Sequence, residues 1–438
     1  MATRPEPAAP VALDEVRLPE RSAWWRRVGK HPRAMHYNRL IALVFLANAL
    51  VLWRHLPDAP TPRTLSLIAL VNFTVGIVIR QQHVVNLLFR LATAAPATWP
   101  LPVRWTLAKV YHFGGLHVGA TVAGTLWYLA YVVTAARSAS APLLAITWGT
   151  CLFLVGIIVT ALPPVRARFH DLFERTHRFA GWTVLAAFWA QTLVLATAEA
   201  DGTGLGARLA GDPAVWLMLV ITLSVAHPWT RLRRVPVDVE RPSSHVAVVR
   251  FGHHTPFPGS STAVSRSPLS EWHSFANIPA PEEDGFRLAV SRAGDWTGRM
   301  IDEPPTHLWV KGITTAGVAN VEVLFKRVVY VATGSGIGPC LPHLLAREVP
   351  STLVWSARDP RGTYGDALVD EILDAQPAAI VWDTAVHGKP DMVRLAYQAY
   401  RTSGAEAVIC ISNKKLTWQV VHGLETRGIP ACGAIWDS

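Results

Sequence analysis

The sequence of 438 residues predicts a membrane protein with a bundle of six transmembrane helices, then a small antiparallel β-barrel and a parallel α/β domain. Apolar runs of about 20 residues, the length that a helix needs to cross a bilayer, recur up to residue 235. Short alternating segments follow, and further on strand-like runs alternate with helix-like ones. We therefore predict a cytoplasmic tail and interfacial anchor at 1–37, the bundle at 38–235, the barrel at 236–320 and the α/β domain at 321–438.

Composition supports the membrane part of this prediction. Half of the residues are hydrophobic and 16% are charged, and the mean hydropathy is +0.25, which is too apolar for an ordinary soluble enzyme. The net charge of +10 would suit a nucleic-acid-binding protein, but the arginines lie between the apolar runs and form no basic stripe. We therefore expect no nucleic-acid partner. The four cysteines show no C-x-x-C spacing and are expected to be reduced thiols.

Six apolar runs are candidates for membrane-spanning helices. They lie at about 38–56, 64–90, 107–135, 142–162, 172–198 and 213–230. The second run meets Arg80 and Gln81 before its end, so we expect that end to leave the lipid or to face protein. Residues 1–22 are rich in proline and alanine and are expected to be disordered, and residues 24–27 have the tryptophans and arginines of an interfacial anchor.

Positive charge alternates between the predicted loops. Lysines and arginines crowd the tail and the loops after the second, fourth and sixth spans, and Arg104 and Lys109 are among them. Positively charged loops resist translocation. We therefore expect a multi-pass integral membrane protein in the lipid bilayer, with both termini and the domains after residue 235 on the cytoplasmic side.

Histidines open the third and fifth predicted spans at similar depth, as His112 and His177. An ionisable side chain in lipid is costly unless it is paired or liganded, and two imidazoles on opposite faces can hold one haem iron. His117 is an alternative partner for His177. Glycines such as Gly115 and Gly181 would let a flat macrocycle approach the backbone. The competing interpretation is a set of hydrogen-bonded interhelical histidines, or a binding site for phospholipid headgroups.

A buried strand, a glycine turn and a helix start follow one another near residue 334. The turn consists of Gly334, Ser335, Gly336, Ile337, Gly338 and Pro339. Glycines there let a phosphate approach backbone N–H groups at the helix N-terminus. The spacing is not the G-x-G-x-x-G fingerprint, and Arg358 and Asp359 stand about where that fingerprint has its acidic residue. An arginine at this place favours a phosphorylated ribose.

The stretch from 272 to 297 carries the most specific motifs. It contains His273-Ser-Phe-Ala276, Pro281-Glu-Glu-Asp284 and Gly294-Asp-Trp-Thr297, in that order. These motifs resemble the His-Pro-Phe-Thr/Ser, Pro-Glu-Glu-Asp and Gly-Asp-Trp-Thr motifs of the ferric reductase and NADPH oxidase superfamily of transmembrane flavoproteins. Within that superfamily the chain is most similar to the TmpA-like integral membrane flavoproteins of fungi. The resemblance covers residues 38–438.

The resemblance implies a ferredoxin-reductase-like module that binds FAD in the barrel and NAD(P)H on the α/β domain. The implied FAD contacts are Trp272, His273, Ser274, Phe275, Ala276, Arg292, Trp296, Thr297 and Trp436. The implied NAD(P) contacts are Gly334, Ser335, Gly336, Ile337, Gly338, Pro339, Arg358, Asp359, Lys389 and Cys410. Lys389 would meet a 2′-phosphate, which favours NADPH over NADH.

The chain also departs from the family pattern. Ala276 replaces the hydroxyl residue that usually bonds the flavin, and Ile411 follows Cys410 where the family has glycine. The family places a second histidine about thirteen or fourteen residues after the first in the third and fifth spans, but those positions hold residues such as Leu126 and Gln191. The resemblance therefore implies no haem or one b-type haem, at the inner side of the membrane.

These features predict a membrane-anchored NAD(P)H-dependent flavin oxidoreductase that passes electrons through FAD, and through one haem if it is present, to an acceptor that the sequence does not identify. No catalytic side chain is expected, because cofactors carry the chemistry. The alternatives are a trans-membrane reductase of iron or oxygen and a low-turnover, redox-responsive signalling protein. Three carboxylates (Glu322, Asp370 and Glu371) are expected to be solvated, Cys340 to pack a helix start, and His253 and His254 to lie in a surface loop.

Overall fold

The computed structural model describes residues 13–198, 204–280 and 284–434. These residues form two compact units. The helical unit consists of His36–Val84 and Phe113–Thr230. The α/β unit consists of the described residues of Met1–Met35, Val85–His112 and Arg231–Ser438.

Helices make up most of the first half of the chain. In order they are α1 (Trp24–Val28), α2 (His36–Arg54), α3 (Pro62–Val78), α4 (Gln82–Thr93), α5 (Leu101–Leu107), α6 (Gly114–Ala135), α7 (Ala141–Ala161), α8 (Pro163–Arg168), α9 (His170–Ala198), α10 (Leu205–Gly211) and α11 (Pro213–Ala226). Proline opens several of them at a position where a helix has no partner for its N–H groups, as Pro62 does in α3.

Among the described residues, five helices are long and apolar enough to cross a membrane. The number rises to six if α3 and α4 count as one span, but these two helices meet at a bend of 69°. The bend follows Arg80, where the sequence predicts that the second span leaves the lipid. Leucines such as Leu46 and Leu152 are more than half exposed, and they give the helices apolar outer surfaces.

The helical unit is held together by α3, α6, α7, α9 and α11. Its apolar core includes Phe73, Tyr128 and Met218. Gly115 in α6 lies so close to α2 that a β-carbon there would stand 2.2 Å from the Tyr37 carbonyl oxygen. This glycine therefore serves helix packing, and the prediction that it makes room for a macrocycle is wrong. A β-carbon at Gly181 would meet no atom within 4 Å.

Strands and short helices make up the rest of the chain. The strands are β1 (Arg233–Pro236), β2 (Asp238–Glu240), β3 (Val246–Phe251), β4 (Ser260–Ser265), β5 (His273–Ala276), β6 (Phe286–Ser291), β7 (His307–Val310), β8 (Thr315–Ala316), β9 (Val328–Thr333), β10 (Ser351–Ala357), β11 (Ile380–Asp383), β12 (Ala407–Ile411) and β13 (Ala431–Cys432). The helices are α12 (Asp295–Asp302), α13 (Ile337–Ala346), α14 (Pro360–Tyr364), α15 (Asp366–Ala375), α16 (Thr384–His387), α17 (Met392–Ser403) and α18 (Lys414–Glu425).

The first eight strands form a small antiparallel barrel from two sheets, β1-β7-β4-β5 with β8 beside β4, and β2-β3-β6. A bridge between Ile278 and Arg287 joins the end of β5 to β6. Alternate residues such as Val249, Leu288 and Leu308 face the core, which α12 closes with Met300. This architecture confirms the predicted barrel.

The remaining strands form a parallel sheet in the order β11-β10-β9-β12-β13. The first of these strands in sequence, β9, lies in the centre of the sheet. The chain adds β10 and β11 on one side of β9 and then β12 and β13 on the other side, so the topological switch point lies between the neighbouring strands β9 and β12. In open parallel sheets, ligands bind outside the carboxyl ends of the strands at such a switch point. The parallel order confirms the predicted α/β domain and indicates where its ligand site should lie.

The N-terminal segment differs from the prediction. Residues 13–22 are not a disordered tail, because Val16 is buried, and Leu13 and Leu18 pack against the core of the parallel sheet. The Ser22 amide donates to the Thr426 carbonyl at 2.8 Å. The sequence does not predict these three apolar anchors, because the high proline and alanine content of the tail is typical of disordered segments. The part of the expectation that concerns residues 1–12 lies outside the described residues.

The segment 85–112 also belongs to the α/β unit, although the sequence places it in the membrane domain. The Arg104 guanidinium is buried and donates to the Glu406 carboxylate at 2.7 Å. Lys109 is buried too, and its ammonium lies 2.6 Å from the carboxylate of Glu425. Burial lowers the pKa of Lys109, but the charge of Glu425 more than reverses this effect and the net pKa is raised. These two cations anchor the segment to the parallel sheet. They therefore no longer serve as evidence for the side of the membrane on which the segment lies.

Candidate functional site

Strand β5 carries the motif that identifies the expected flavin site. Its residues pair with β4 in antiparallel register, with His273 opposite Val264 and Ala276 opposite Ser261. The His273 ring lies 4.3 Å from the indole of Trp296, and the Phe275 ring stacks on the same indole at 6.0 Å. Trp296 is buried in the barrel core beneath the strand. The structure therefore brings together the two halves of the motif that the sequence separates by twenty residues.

The N-terminus of α12 lies next to this aromatic group. Gly294 precedes the helix, and the Thr297 hydroxyl accepts from the amides of Ala293 and Gly294 at 2.9 and 3.1 Å. The Thr297 hydroxyl thereby stabilises the helix start, and the helix has the positive end of its dipole at a place where a phosphate can bind. The Trp296 indole nitrogen is buried and has no hydrogen-bond partner among the described residues.

Arg292 is engaged within the protein and does not point into an open site. Its guanidinium makes a two-pronged ion pair with Asp302 at 2.9 and 2.6 Å and also donates to the Ser244 carbonyl. The hydrogen bond from Arg292 lowers the pKa of the Asp302 carboxyl. A flavin phosphate would have to compete with this carboxylate for Arg292. The Arg292 contact with FAD thus stays a prediction, and the structure gives it no support.

The other expected flavin contacts differ in their surroundings. The Trp272 indole donates to the Pro268 carbonyl at 3.0 Å, and the Lys311 ammonium lies 4.1 Å from the centre of its ring. Ser274 is exposed, whereas Ala276 is half-buried near the end of β5. Trp436, the predicted C-terminal aromatic, lies outside the described residues.

The glycine turn follows β9 as expected, with a tight 3₁₀ turn at Gly334–Gly336 before α13. Gly334 has a positive φ of 50°, and its carbonyl accepts from the Trp355 indole at 3.1 Å. A β-carbon at Gly336 would lie 2.0 Å from the Ile411 carbonyl oxygen, whereas one at Gly338 would meet Ala289 of β6 at an ordinary 3.7 Å. The turn thus sits between β12 and the barrel, at the switch point of the sheet.

The turn also faces the flavin strand. Helix α13, whose first residues are Ile337, Gly338 and Pro339, packs against β5 and β6 of the barrel. Ser335 and Pro339 lie in the turn and the first helical residues. A dinucleotide on this turn and a flavin on the barrel would therefore lie side by side within the α/β unit.

Arg358, Asp359 and Lys389 lie at the carboxyl edge of the same sheet. Ala357 at the end of β10 pairs with Asp383 at the end of β11, so the loops after both strands share this edge. Arg358 and Lys389 are exposed, and among the described residues neither takes part in an ion pair. Asp359 has a strained positive φ of 42° and caps α14 through the Gly362 amide. Two cations that have no carboxylate partner suit a phosphate on an adenosine ribose.

Cys410 does not fit its predicted role as a nicotinamide contact. It is fully buried in the core cluster between the parallel sheet and its helices. Burial raises the pKa of its thiol to about 12, although the Thr417 hydroxyl acts in the opposite direction. The side chain at this position of β12 belongs to the core cluster, whereas the carbonyl and the side chain of the neighbouring Ile411 both lie against Gly336 of the glycine turn. Cys340 is buried as well, as expected for a helix start.

The structure places the candidate haem histidines in two units. His117 and His177 lie in the helical unit with ring centres 6.1 Å apart. The His117 Nδ1 atom lies 2.7 Å from the Gly76 carbonyl oxygen, which leaves Nε2 for a ligand. Since a metal–imidazole bond is about 2 Å, two imidazoles on one iron have ring centres about 6 Å apart. This pair fits that requirement. His112 is buried in the α/β unit beside Tyr111, and its pairing with His177 stays a prediction.

Several polar side chains have surroundings that the sequence does not predict. Glu322 is buried, not solvated, and binds Tyr330 and His343. Glu371 and Asp370 are half-buried and pair with Arg287 and Arg361 respectively. The spacing of these residues in sequence gives no signal, because each partner comes from a different strand or helix.

His253 and His254 lie in the loop after β3, where His254 is exposed as expected but His253 is half-buried. The ring of His253 packs against Phe251 and Phe286. Burial, together with His254 and Arg233, lowers the pKa of His253 to about 4. Among the described residues, no three histidines, cysteines or carboxylates are arranged to hold a metal ion.

Comparison with known proteins gives a family match for the last part of the chain. Residues 318–438 match a family model described as the C-terminal domain of adenylate-forming reductase 03009. The chain is 45% identical over 410 residues to adenylate-forming reductase 03009 and 43% identical over 411 residues to adenylate-forming reductase 06235, both of Coprinopsis cinerea. Each alignment covers 92% of this chain and 40% of the relative. The chain thus spans less than half the length of these relatives.

Solved structures of reductases resemble about half of the chain. A ferredoxin NADP⁺ reductase from Neisseria gonorrhoeae with bound FAD and NADP has a TM-score of 0.38 at 12% identity and covers 47% of this chain and 98% of that chain. The ferredoxin reductase in carbazole 1,9a-dioxygenase has a TM-score of 0.37 at 14% identity, with coverage of 47% and 70%. The names of the sequence relatives differ from the superfamily that the motifs resemble, so membership of that superfamily stays a prediction.

Proposed function

We propose that this protein is a membrane-anchored, NAD(P)H-dependent flavin oxidoreductase. The observation that carries the proposal is the contact between the glycine turn and the barrel, where a β-carbon at Gly338 would stand 3.7 Å from Ala289 of β6. Hydride transfer needs a nicotinamide and a flavin in contact, and this contact joins the two elements that would carry them. The sequence relatives are named reductases, which favours the same class.

The residues of the barrel fit a flavin. Trp296, His273 and Phe275 form an aromatic group beneath and within β5, and the start of α12 offers backbone N–H groups to a pyrophosphate. When bound, FAD supplies the step from a two-electron donor to single-electron transfer. The role of the protein is to orient the flavin ring system, to exclude water with the aromatic side chains and to neutralise the phosphates.

The residues of the parallel sheet fit a nicotinamide dinucleotide. A β-carbon at Gly334 would meet only the Tyr364 hydroxyl, at 3.7 Å, so a pyrophosphate could approach the backbone of the turn there, whereas Gly336 lets the turn pack closely against Ile411. Arg358 and Lys389 at the carboxyl edge favour a 2′-phosphate and hence NADPH over NADH. The direction of electron flow that follows is from NADPH to FAD and then to an acceptor at the membrane.

We also propose that α2, α3, α6, α7, α9 and α11 anchor the protein in a bilayer. Support comes from the length and composition of five of these helices, which α3 matches only together with α4, and from their exposed leucines. If one b-type haem is present, His117 and His177 are the pair within the helical unit whose rings lie at a suitable separation.

A second candidate function, a trans-membrane reductase, would need a further electron carrier in the outer half of the bundle. Gln191, which stands where a second histidine would be expected, is buried and accepts a hydrogen bond from the Tyr128 hydroxyl at 2.6 Å. This contact disfavours the trans-membrane reductase. A low-turnover, redox-responsive signalling protein remains the third candidate function.

Turnover tests the proposal. We expect the full chain, purified in detergent, to contain FAD and to consume NADPH steadily when an artificial one-electron acceptor is supplied. The variant Gly336→Val is the matched control, because its side chain would collide with the Ile411 carbonyl and displace the turn from β12. Absence of FAD, or NADPH consumption no faster than that of the variant, would refute the oxidoreductase assignment and leave the signalling role.

A further inference from the structure

Glu322 is the one buried carboxylate among the described residues, with 2% of its surface exposed. It lies on the linker at Val318–Leu324 that connects the barrel to β9. The Tyr330 hydroxyl donates to its Oε2 atom at 2.6 Å, and the His343 Nδ1 atom binds its Oε1 atom. A buried carboxylate is costly unless donors surround it, and these two side chains supply the donors.

Both partners flank the glycine turn. Tyr330 lies on β9, four residues before Gly334, and His343 lies on α13, which begins directly after the turn. Tyr330 is fully buried, and its pKa is raised well above the ordinary value by burial and by the neighbouring Glu322. It therefore stays a neutral donor. Glu322 thus ties the strand and the helix on either side of the turn to the linker.

The other edge of the His343 ring reaches the barrel. A β-carbon on Gly259 would lie 1.9 Å from His343 Nε2, so the ring presses directly against this glycine. Gly259 has a φ of 69° and stands immediately before β4. Within the described residues Nε2 is buried and has no hydrogen-bond partner, so the ring binds Glu322 through Nδ1 alone.

The contact continues to the flavin strand. Ser260, the residue after Gly259, accepts from the Asn277 amide at 2.7 Å through its carbonyl, and Ser261 pairs with Ala276 at the end of β5. The linker also contacts the loop before β4 directly, because the Asn320 side-chain amide donates to the Pro258 carbonyl at 2.9 Å. A continuous set of buried contacts therefore joins the nucleotide helix to the strand that carries the flavin motif.

We propose that Glu322 and His343 are positioning residues for hydride transfer. Glu322 holds His343 through Nδ1, and the Nε2 edge lies against Gly259 and fixes the separation between α13 and β5. Effective hydride transfer needs reacting atoms about 3–3.5 Å apart, and a displacement of about 1 Å can cost about 100-fold in rate. This inference rests on the proposed flavin oxidoreductase function and names two residues that set the separation between α13 and β5.

The variant Glu322→Gln tests the proposal with almost no change of shape. The carboxylate binds Tyr330 and His343 through its two oxygens, whereas the glutamine amide has one acceptor oxygen and one donor nitrogen. Glutamine therefore cannot accept from both side chains, and one of the two ties to the linker is lost. We expect the rate constant of FAD reduction by NADPH, measured by stopped-flow absorbance, to fall about 10-fold or more. FAD content and the NADPH dissociation constant should change less than about twofold, and NADPH deuterated at the transferred position should still slow the step.

Two further variants keep the test decisive. Tyr330→Phe removes one of the two donors to Glu322 but keeps the ring, and we expect a smaller loss of the same rate constant. His422→Gln is the control, since His422 lies on α18, binds the Lys30 carbonyl and stacks on Trp418. If Glu322→Gln does not fold, Tyr330→Phe decides the question alone.

A wild-type rate per bound FAD in the glutamine and phenylalanine variants would overturn the positioning role. A loss of FAD and of thermal stability with an unchanged rate per bound FAD would also overturn it, because it would show a structural role only. If wild-type protein binds FAD but NADPH does not reduce it, the proposed function fails instead.

Discussion

The helical unit and the α/β unit bury polar side chains in different ways. In the helical unit, Asn48 and Asn72 exchange amide hydrogen bonds at 3.0 and 2.9 Å, and the Tyr128 hydroxyl donates to Gln191. In the α/β unit, Arg104 and Lys109 are buried with carboxylate partners. Neutral pairs avoid the cost of a charge in an apolar surrounding, whereas ion pairs fix the packing of segments that come from distant parts of the chain. In these examples the helical unit buries neutral amide and hydroxyl groups, whereas the α/β unit buries charged pairs.

The largest expected effect is on stability and comes from the buried ion pairs. Lys109→Met removes the cation that faces Glu425, and breaking a buried pair costs about 3–5 kcal/mol. Arg63→Met in the helical unit removes an exposed partner of Asp212, and such pairs contribute less than about 1 kcal/mol. Thermal and chemical unfolding of the full chain in detergent measures both. Equal losses in the two variants would contradict the distinction between anchoring and surface cations.

A large effect on the site is expected at the glycine turn. Gly336→Ala places a β-carbon 2.0 Å from the Ile411 carbonyl, which forces the turn away from β12, and a misplacement of this size can cost about 100-fold in the rate of flavin reduction. Gly338→Ala is the control, because its β-carbon makes only an ordinary contact with Ala289. We expect Gly338→Ala to retain the wild-type rate. Reduction rates measured with saturating NADPH would contradict the assignment if the two variants behaved alike.

A moderate effect is expected at the carboxyl edge of the parallel sheet. Arg358→Ala and Lys389→Ala each remove an exposed cation that has no carboxylate partner, and a lost charge-assisted contact to phosphate costs about 1.5 kcal/mol, or about 10-fold in affinity. The dissociation constant for NADPH should rise, and that for NADH should stay nearly constant. Titration of both nucleotides against the same protein provides the measurement. A parallel loss for NADH would place the two cations away from the 2′-phosphate.

The smallest expected effect is a pH dependence of the barrel. The pKa of His253 is lowered to about 4 in the folded chain, whereas an unfolded histidine titrates near 6.5. Between these values the unfolded state binds the proton and the folded state does not, so stability is lost as the pH falls from about 6.5 to about 4. His253→Phe keeps a ring against Phe251 and Phe286 and should reduce this slope in melting temperature. The slope does not vanish, because the pKa of His254 is lowered as well.

The sequence predicts the architecture well where a local pattern is sufficient. The apolar runs mark most of the long helices, and the glycine motif marks the tight turn between β9 and α13, because each signal lies within one continuous stretch. The barrel is predicted from short alternating strands, and β5 and α12 are predicted as one site from the order of their motifs.

The sequence fails where the decisive partner is distant. Glu322, Arg104 and Lys109 look like solvated or topological charges, and only the fold brings their partners to them. Cys410 was assigned by its position in a motif, but the alternation of side chains along β12 turns it into the core. The presence of a charged residue in the sequence therefore predicts neither whether its side chain is buried nor what role the side chain has.

The most direct test of the central claim is an anaerobic absorption spectrum of the purified full chain before and after the addition of NADPH. We predict the bands of oxidised FAD at the start and their loss within the time of mixing. A Soret band that shifts on reduction and disappears in His177→Ala would add the haem to this path. A chain that carries no flavin, or flavin bands that NADPH leaves unchanged, would contradict the account.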